Sequence, residues 1–173
     1  MEALIEFGKI VLPASIVLYA VYLVVRSFIL REIELKKLEV RARSIETILP
    51  ARVAAYERMT LFIERITPQN LLVRLNNPDY KARDLQKVLL DEIRNEYNHN
   101  VSQQVYMSED VWNLIRNGKE DLVIMINDAA QSMTPESTGI DLAKKIFQMT
   151  MDKKVDPLAH ALSELKKEIQ QIF

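Results

Sequence analysis

The chain has 173 residues, no cysteine, three glycines and a formal net charge of −1. Those figures exclude a disulfide scaffold, thiolate metal ligands and a cysteine nucleophile, and they leave no global positive field to draw in nucleic acid. Scarce glycine argues against hairpin-rich β structure and Gly-rich phosphate loops, so an all-α fold is expected.

The first thirty residues are far more apolar than the rest. Ile10 to Val25 reads IVLPASIVLYAVYLVV, sixteen residues without a charge. A bilayer-crossing helix needs about 20 residues. Phe7 and Gly8 on one side and Phe28, Ile29 and Leu30 on the other extend the run, with Lys9 and Arg26 reaching for opposite interfaces. The spacing predicts a transmembrane helix with Pro13 near its start. Tyr19 and Tyr22 lie deeper than an aromatic belt and suit a partner helix. Three alternatives fit less well. A signal peptide wants a basic start and a small-residue cleavage site, whereas this segment opens with Glu2 and Glu6. A buried core helix is the plain alternative, and a surface amphipathic helix would not be apolar all round. Arg26, Arg31, Lys36, Lys37, Arg41 and Arg43 follow the run, which sets the following domain in the cytoplasm and the N-terminus outside. With Glu32, Glu34 and Glu39 interspersed, the cluster has an excess of three positive charges. That suffices to fix topology and to touch anionic head groups, but is weak evidence for lipid specificity.

Residues 28–49 read as a helix leaving the membrane. Phe28, Leu35, Leu38, Ala42, Ile45 and Leu49 form an apolar heptad stripe, and Tyr56, Met59, Ile63 and Ile66 keep its register, with Arg52 the exception. Pro50 is expected to kink this helix or start a new one. Val53, Ala55 and Phe62 widen the apolar face, which favours packing in a bundle over a coiled coil between chains. The organisation expected is an anchor over 1–30, an amphipathic stalk over 31–66 and a helical domain over 67–173.

Thr67-Pro68 signals a cap and first position of a short helix, and Asn76-Asn77-Pro78-Asp79 a turn. A longer helix follows from about Tyr80, with Leu85, Leu89, Ile93 and Tyr97 on one face. Ser108 reads as the N-cap of a helix carrying Val111, Trp112, Ile115, Leu122, Ile126 and Met133. Thr138 caps a helix holding Ile140, Leu142, Ile146 and Phe147. Asp156-Pro157 opens a last helix with Leu158, Leu162, Leu165, Ile169 and Ile172.

Chemistry is hard to find. His99 and His160 lack metal-ligand spacing, so no metal site is expected. No P-loop, Rossmann or nucleophile-elbow motif occurs, and no cofactor or small-molecule substrate is suggested. Glu92 and Glu96 form an i,i+4 carboxylate pair of the kind found on solvated helix faces. The segment from Tyr97 to Tyr106 is rich in amides and hydroxyls. It suits either a polar recognition surface or a helix break in which Asn and Ser side chains satisfy local backbone groups, the plainer reading. Trp112 suits the core, or less readily an interface.

The runs ILPARVAAYERMTLFIERITPQNLLVRL, EIRNEYNHNVSQQVYMSEDVW and STGIDLAKKIF resemble a family of small membrane-anchored proteins of unknown function from Bacteroidota-type bacteria. The resemblance spans nearly the whole chain. It implies a protein of the bacterial inner membrane with a cytoplasmic helical domain and no catalytic residues. The function expected is therefore that of a structural or adaptor protein, not an enzyme, binding itself or a subunit of a larger membrane complex. Tyr19, Tyr22, Leu35, Leu38, Ile45, Tyr97, His99, Tyr106, Trp112 and Phe173 are the residues through which it would bind. Lys9, Arg26 and Arg31 would lie at the membrane interfaces. A stalk-like subunit of a membrane machine ranks lower, because prolines recur along the chain. An enzyme with a polar site near His99 is the remaining alternative.

Overall fold

The computed structural model describes residues 2–152 and 156–171. They form six α-helices and one 3₁₀ segment: α1 Glu2–Ile66, α2 Pro68–Leu75, α3 Ala82–Asn100, the 3₁₀ segment Val101–Tyr106, α4 Glu109–Gln131, α5 Gly139–Asp152 and α6 Pro157–Gln170. No strand occurs among the described residues, and the only bridge there is an isolated one between Lys81 and Thr138. The chain divides into two compact units, Met1–Leu49 and Pro50–Phe173.

Helix α1 is continuous through Pro13 and Pro50. Proline removes one i→i−4 hydrogen bond, freeing the carbonyl of Glu46 at Pro50. The helix absorbs this loss, so Pro50 neither ends it nor starts another. Ser44 Oγ and Thr47 Oγ1 fold back onto the carbonyls of Val40 and Arg43, both at 2.9 Å, in the turns just before the proline. In the first unit every residue from 11 to 48 is exposed. A window of this helix has a mean hydropathy of 1.8 with none of it buried, so it is long and apolar enough to cross a membrane. Leu35, Leu38 and Ile45 are 58%, 57% and 62% exposed. The bundle packing expected for the stripe therefore does not extend to this stretch.

In the second unit the same stripe is core. Ala55, Tyr56, Met59, Phe62, Ile63 and Ile66 are buried with Leu71 and Leu72 of α2, Leu85, Leu89 and Ile93 of α3, and Val111, Trp112, Ile115, Leu122 and Ile126 of α4. Leu142 and Ile146 of α5 and Leu158 and Leu165 of α6 complete it. Each such side chain stabilises the fold by roughly 1.5–3 kcal/mol when fully buried. At about 100° per residue Leu142 and Ile146 share one face of α5. Ile140 and Phe147 lie on the other and are exposed.

The helix starts follow from their caps. Ser108 Oγ accepts the Val111 N–H at 3.3 Å, and Asp156 Oδ1 accepts those of Leu158 and Ala159 at 2.9 and 3.3 Å. Thr138 and Asp141 cap reciprocally: Thr138 N–H donates to Asp141 Oδ2 at 2.9 Å and Asp141 N–H to Thr138 Oγ1 at 3.3 Å. The Thr138 backbone N–H first, and then the Thr138 hydroxyl donating to the same Oδ2 at 2.8 Å, hold the Asp141 carboxyl below its ordinary value. Thr67 departs from its expected role. Its hydroxyl donates backward to the Glu64 carbonyl at 2.9 Å, closing α1, while Pro68 starts α2 unaided. Gly118 lets α4 and α6 approach closely, since a Cβ there would lie 3.1 Å from Leu158 Cδ2.

Candidate functional site

The residues singled out by sequence do not converge on one place. Lys9, Arg26 and Arg31 are exposed in the first unit, as are Tyr19 and Tyr22. The two tyrosine rings lie one helical turn apart and stack with centroids 6.4 Å apart. Leu35, Leu38 and Ile45 are exposed further along the same helix. Phe173 and Ile172 lie outside the described residues.

Tyr97 and Trp112 belong to the second unit's core edge. The half-buried Tyr97 ring is tilted against Phe62 at 6.2 Å and stacked on Trp112 at 5.8 Å. Lys119 Nζ lies 4.3 Å from the Tyr97 ring centroid, a cation–π contact, and 2.5 Å from the Glu120 carboxylate. Trp112 is 8% exposed and takes the core role of the two the sequence allows. His99 is exposed, with Nδ1 2.8 Å from the Asn95 carbonyl, and Asn100 donates to the Glu96 carbonyl at 2.8 Å. These amides and imidazole thus serve the end of α3, where the chain tightens into the 3₁₀ segment. Tyr106 enters the network through its backbone: its carbonyl accepts from Arg52 Nε at 3.2 Å.

That contact leads to a constellation the sequence does not announce. Glu168 of α6 accepts from the Tyr56 hydroxyl, from the Ser108 hydroxyl and, at 2.8 Å, from the Ser108 N–H. Arg52 also donates to the Tyr56 hydroxyl at 3.4 Å. The network joins α1, the start of α4 and α6. Burial pushes the Glu168 carboxyl up, but the bonds from Ser108 and Tyr56 outweigh it, so the group sits below its ordinary value. Tyr56 is raised, first by burial and then by the bond to Glu168. The sequence signals were Arg52, the charge that interrupts an apolar register, with Ser108 as an N-cap and Tyr106 as a candidate residue. Glu168, on a polar face of α6, gave none.

The network should be visible in acid. A carboxyl held below its ordinary value stabilises the fold fully above about pH 4.5 and loses that contribution as pH falls through the lowered value. Glu168→Ala strands the Tyr56 and Ser108 donors and is expected to cost about 1–2 kcal/mol at neutral pH, given partial access to water. The variant should also show a flatter loss of stability below pH 4.5. Equal acid sensitivity in both proteins, followed by thermal melts, would argue against this role.

Glu92 and Glu96 are not on a freely solvated face. Arg65 lies 2.8 Å from Glu96 and 3.9 Å from Glu92, and Arg74 pairs with Glu92 as well. Two carboxylates neutralised by two guanidiniums form a structural clamp between α1, α2 and α3, and a clamped carboxylate is poorly suited to proton transfer. Among the described residues there is no group of three His, Asp or Glu side chains that could hold a metal. None of their buried side-chain polar atoms lacks a partner. No curated protein and no solved structure matches the chain. The sequence model of one family of unknown function, DUF7935, matches residues 2–172, and the chain belongs to that family.

Proposed function

We propose that this protein is a single-pass anchored adaptor of a bacterial inner membrane. Its N-terminus lies outside, and its cytoplasmic helical domain binds a second copy of itself or a subunit of a larger membrane complex. The observation that carries the reading is the apolar run of α1, exposed from Val11 to Val25 with no protein cover. Exposed apolar surface on that scale calls for a lipid or protein environment. Residues 7–30 would rise about 36 Å as a helix, enough for a ~30 Å hydrocarbon core. Arg26, Arg31, Lys36, Lys37, Arg41 and Arg43 supply the charge bias for a cytoplasmic C-terminal side.

A stalk-like subunit is the second reading. It draws support from the continuity of α1 through Pro50, and it ranks lower because Pro68 and Pro157 each start a new helix. Both readings meet one experiment. The full chain should stay with membranes in alkaline carbonate and lose that association when residues 2–30 are deleted. Purification in mild detergent with mass spectrometry should then recover a homo-oligomer or a constant partner. A soluble full-length chain sinks the anchor; a monomer without companions at native abundance sinks the adaptor.

A further inference from the structure

We propose that a second copy of this chain packs in parallel along Leu35, Leu38, Ala42, Ile45 and Leu49 of α1, with Arg41 of each copy facing Glu46 of the other. The inference deepens the anchored-adaptor reading and names its partner.

With Leu35 at heptad position a, Leu38 and Ile45 fall at d and Ala42 and Leu49 at a. The seam is bounded by charge. Arg31 and Arg52 occupy the d positions before and after it, and Arg52 is already committed to the Tyr106 carbonyl and the Tyr56 hydroxyl. Beyond Arg52 the same register is buried within the chain's own second unit: Tyr56, Met59, Ile63 and Ile66 are 1% exposed or less. Between the two arginines Leu35, Leu38, Ala42 and Ile45 are exposed and Leu49 is half-buried.

The flanking charges choose the occupant and its direction. In a parallel pair each g position faces the e position five residues on in the other copy. Arg41 at g then meets Glu46 at e, twice by symmetry. Glu34 at g meets Glu39, whose carboxylate is held by Arg43 at 2.7 Å within its own helix. Glu32, the preceding e residue, has Lys36 at 3.8 Å. Run antiparallel, e would face e and g would face g, setting Glu39 against Glu39 and Arg41 against Arg41. A membrane anchor at one end enforces the parallel arrangement and raises local concentration, which a seam of two heptads needs. The helix is already formed, so pairing orders little more than side chains.

The chain lacks cysteine, so single-cysteine variants of the full protein in its native membrane test this directly. Leu38→Cys and Ile45→Cys, at d, should give a disulfide-linked dimer on mild oxidation at least about tenfold faster than Val40→Cys on the opposite face, because the bond needs Cβ atoms about 4 Å apart. Arg41→Glu should slow linkage at Ile45→Cys, and adding Glu46→Arg should restore it. Linkage at Val40→Cys as fast as at Leu38→Cys overturns the proposal. So does an adduct to a different protein, or no linkage at all. Carbonate extraction is scored separately. If the chain washes off, the anchor has failed, and the same oxidation on the soluble full chain, concentrated to replace the crowding a membrane would give, decides the seam.

Discussion

Replacing Val17 and Val21 together by arginine is expected to abolish carbonate-resistant membrane association of the full-length protein. Both lie near the middle of the uncharged run of α1, one turn apart and exposed. An arginine at the centre of a membrane helix costs roughly 2.5–3.5 kcal/mol on insertion scales, whereas a valine, leucine, isoleucine or phenylalanine contributes only about −0.3 to −0.6. Two arginines therefore outweigh most of what the run contributes. Position matters, because a long cationic side chain near the end of the run can reach the head groups. Phe28→Arg, two residues beyond Arg26, is expected to leave association intact. If the double variant stayed in the membrane fraction as firmly as the native chain, the run would be held by something other than lipid.

The second large effect belongs to the other unit. Phe62→Ala is expected to cost about 3–5 kcal/mol, the usual range for emptying a buried phenylalanine site. Phe62 is 1% exposed and supports Tyr97, which in turn stacks on Trp112. A loss of that size is a large share of the ~5–15 kcal/mol typical of a domain. The melting temperature should fall by roughly 10–20 °C. Trp112 is the sole tryptophan, so its fluorescence reports the change in the detergent-solubilised chain. Val73→Ala, on an exposed position of α2, should stay within about 0.5 kcal/mol of the native protein. Equal melts for the two variants would remove Phe62 from the centre of the core.

The helix starts were the most legible part of the fold. Ser108, Thr138 and Asp156 each place a side-chain oxygen within reach of an orphan N–H, a purely local relation. Core faces were legible where apolar residues recur every three or four, as at Leu85, Leu89 and Ile93. They were not where two apolar sets share a helix: Ile140 and Phe147 look like Leu142 and Ile146 until the helix is docked. The heptad stripe of α1 has the same limit. One register runs from Leu35 to Ile66, yet its C-terminal half is buried and Leu35, Leu38 and Ile45 are not, because periodicity says which residues share a face and not what covers it. The Glu168 network was hidden for another reason. Its members are far apart in sequence, and only tertiary contact brings a polar residue of α6 onto a tyrosine of α1.

That separation also has a consequence in time. The Tyr56–Glu168 contact spans 112 positions. At a synthesis rate of about 5–20 residues per second, Tyr56 waits roughly 5–20 s for its acceptor to be made. During that interval α2 to α5 are made in turn, so the apolar face from Ala55 to Ile66 can gain much of its cover before the Tyr56 hydroxyl gains its acceptor. The polar tie between α1 and α6 is therefore set after the apolar contacts of α2 to α5 can form, a late lock on a core already assembled.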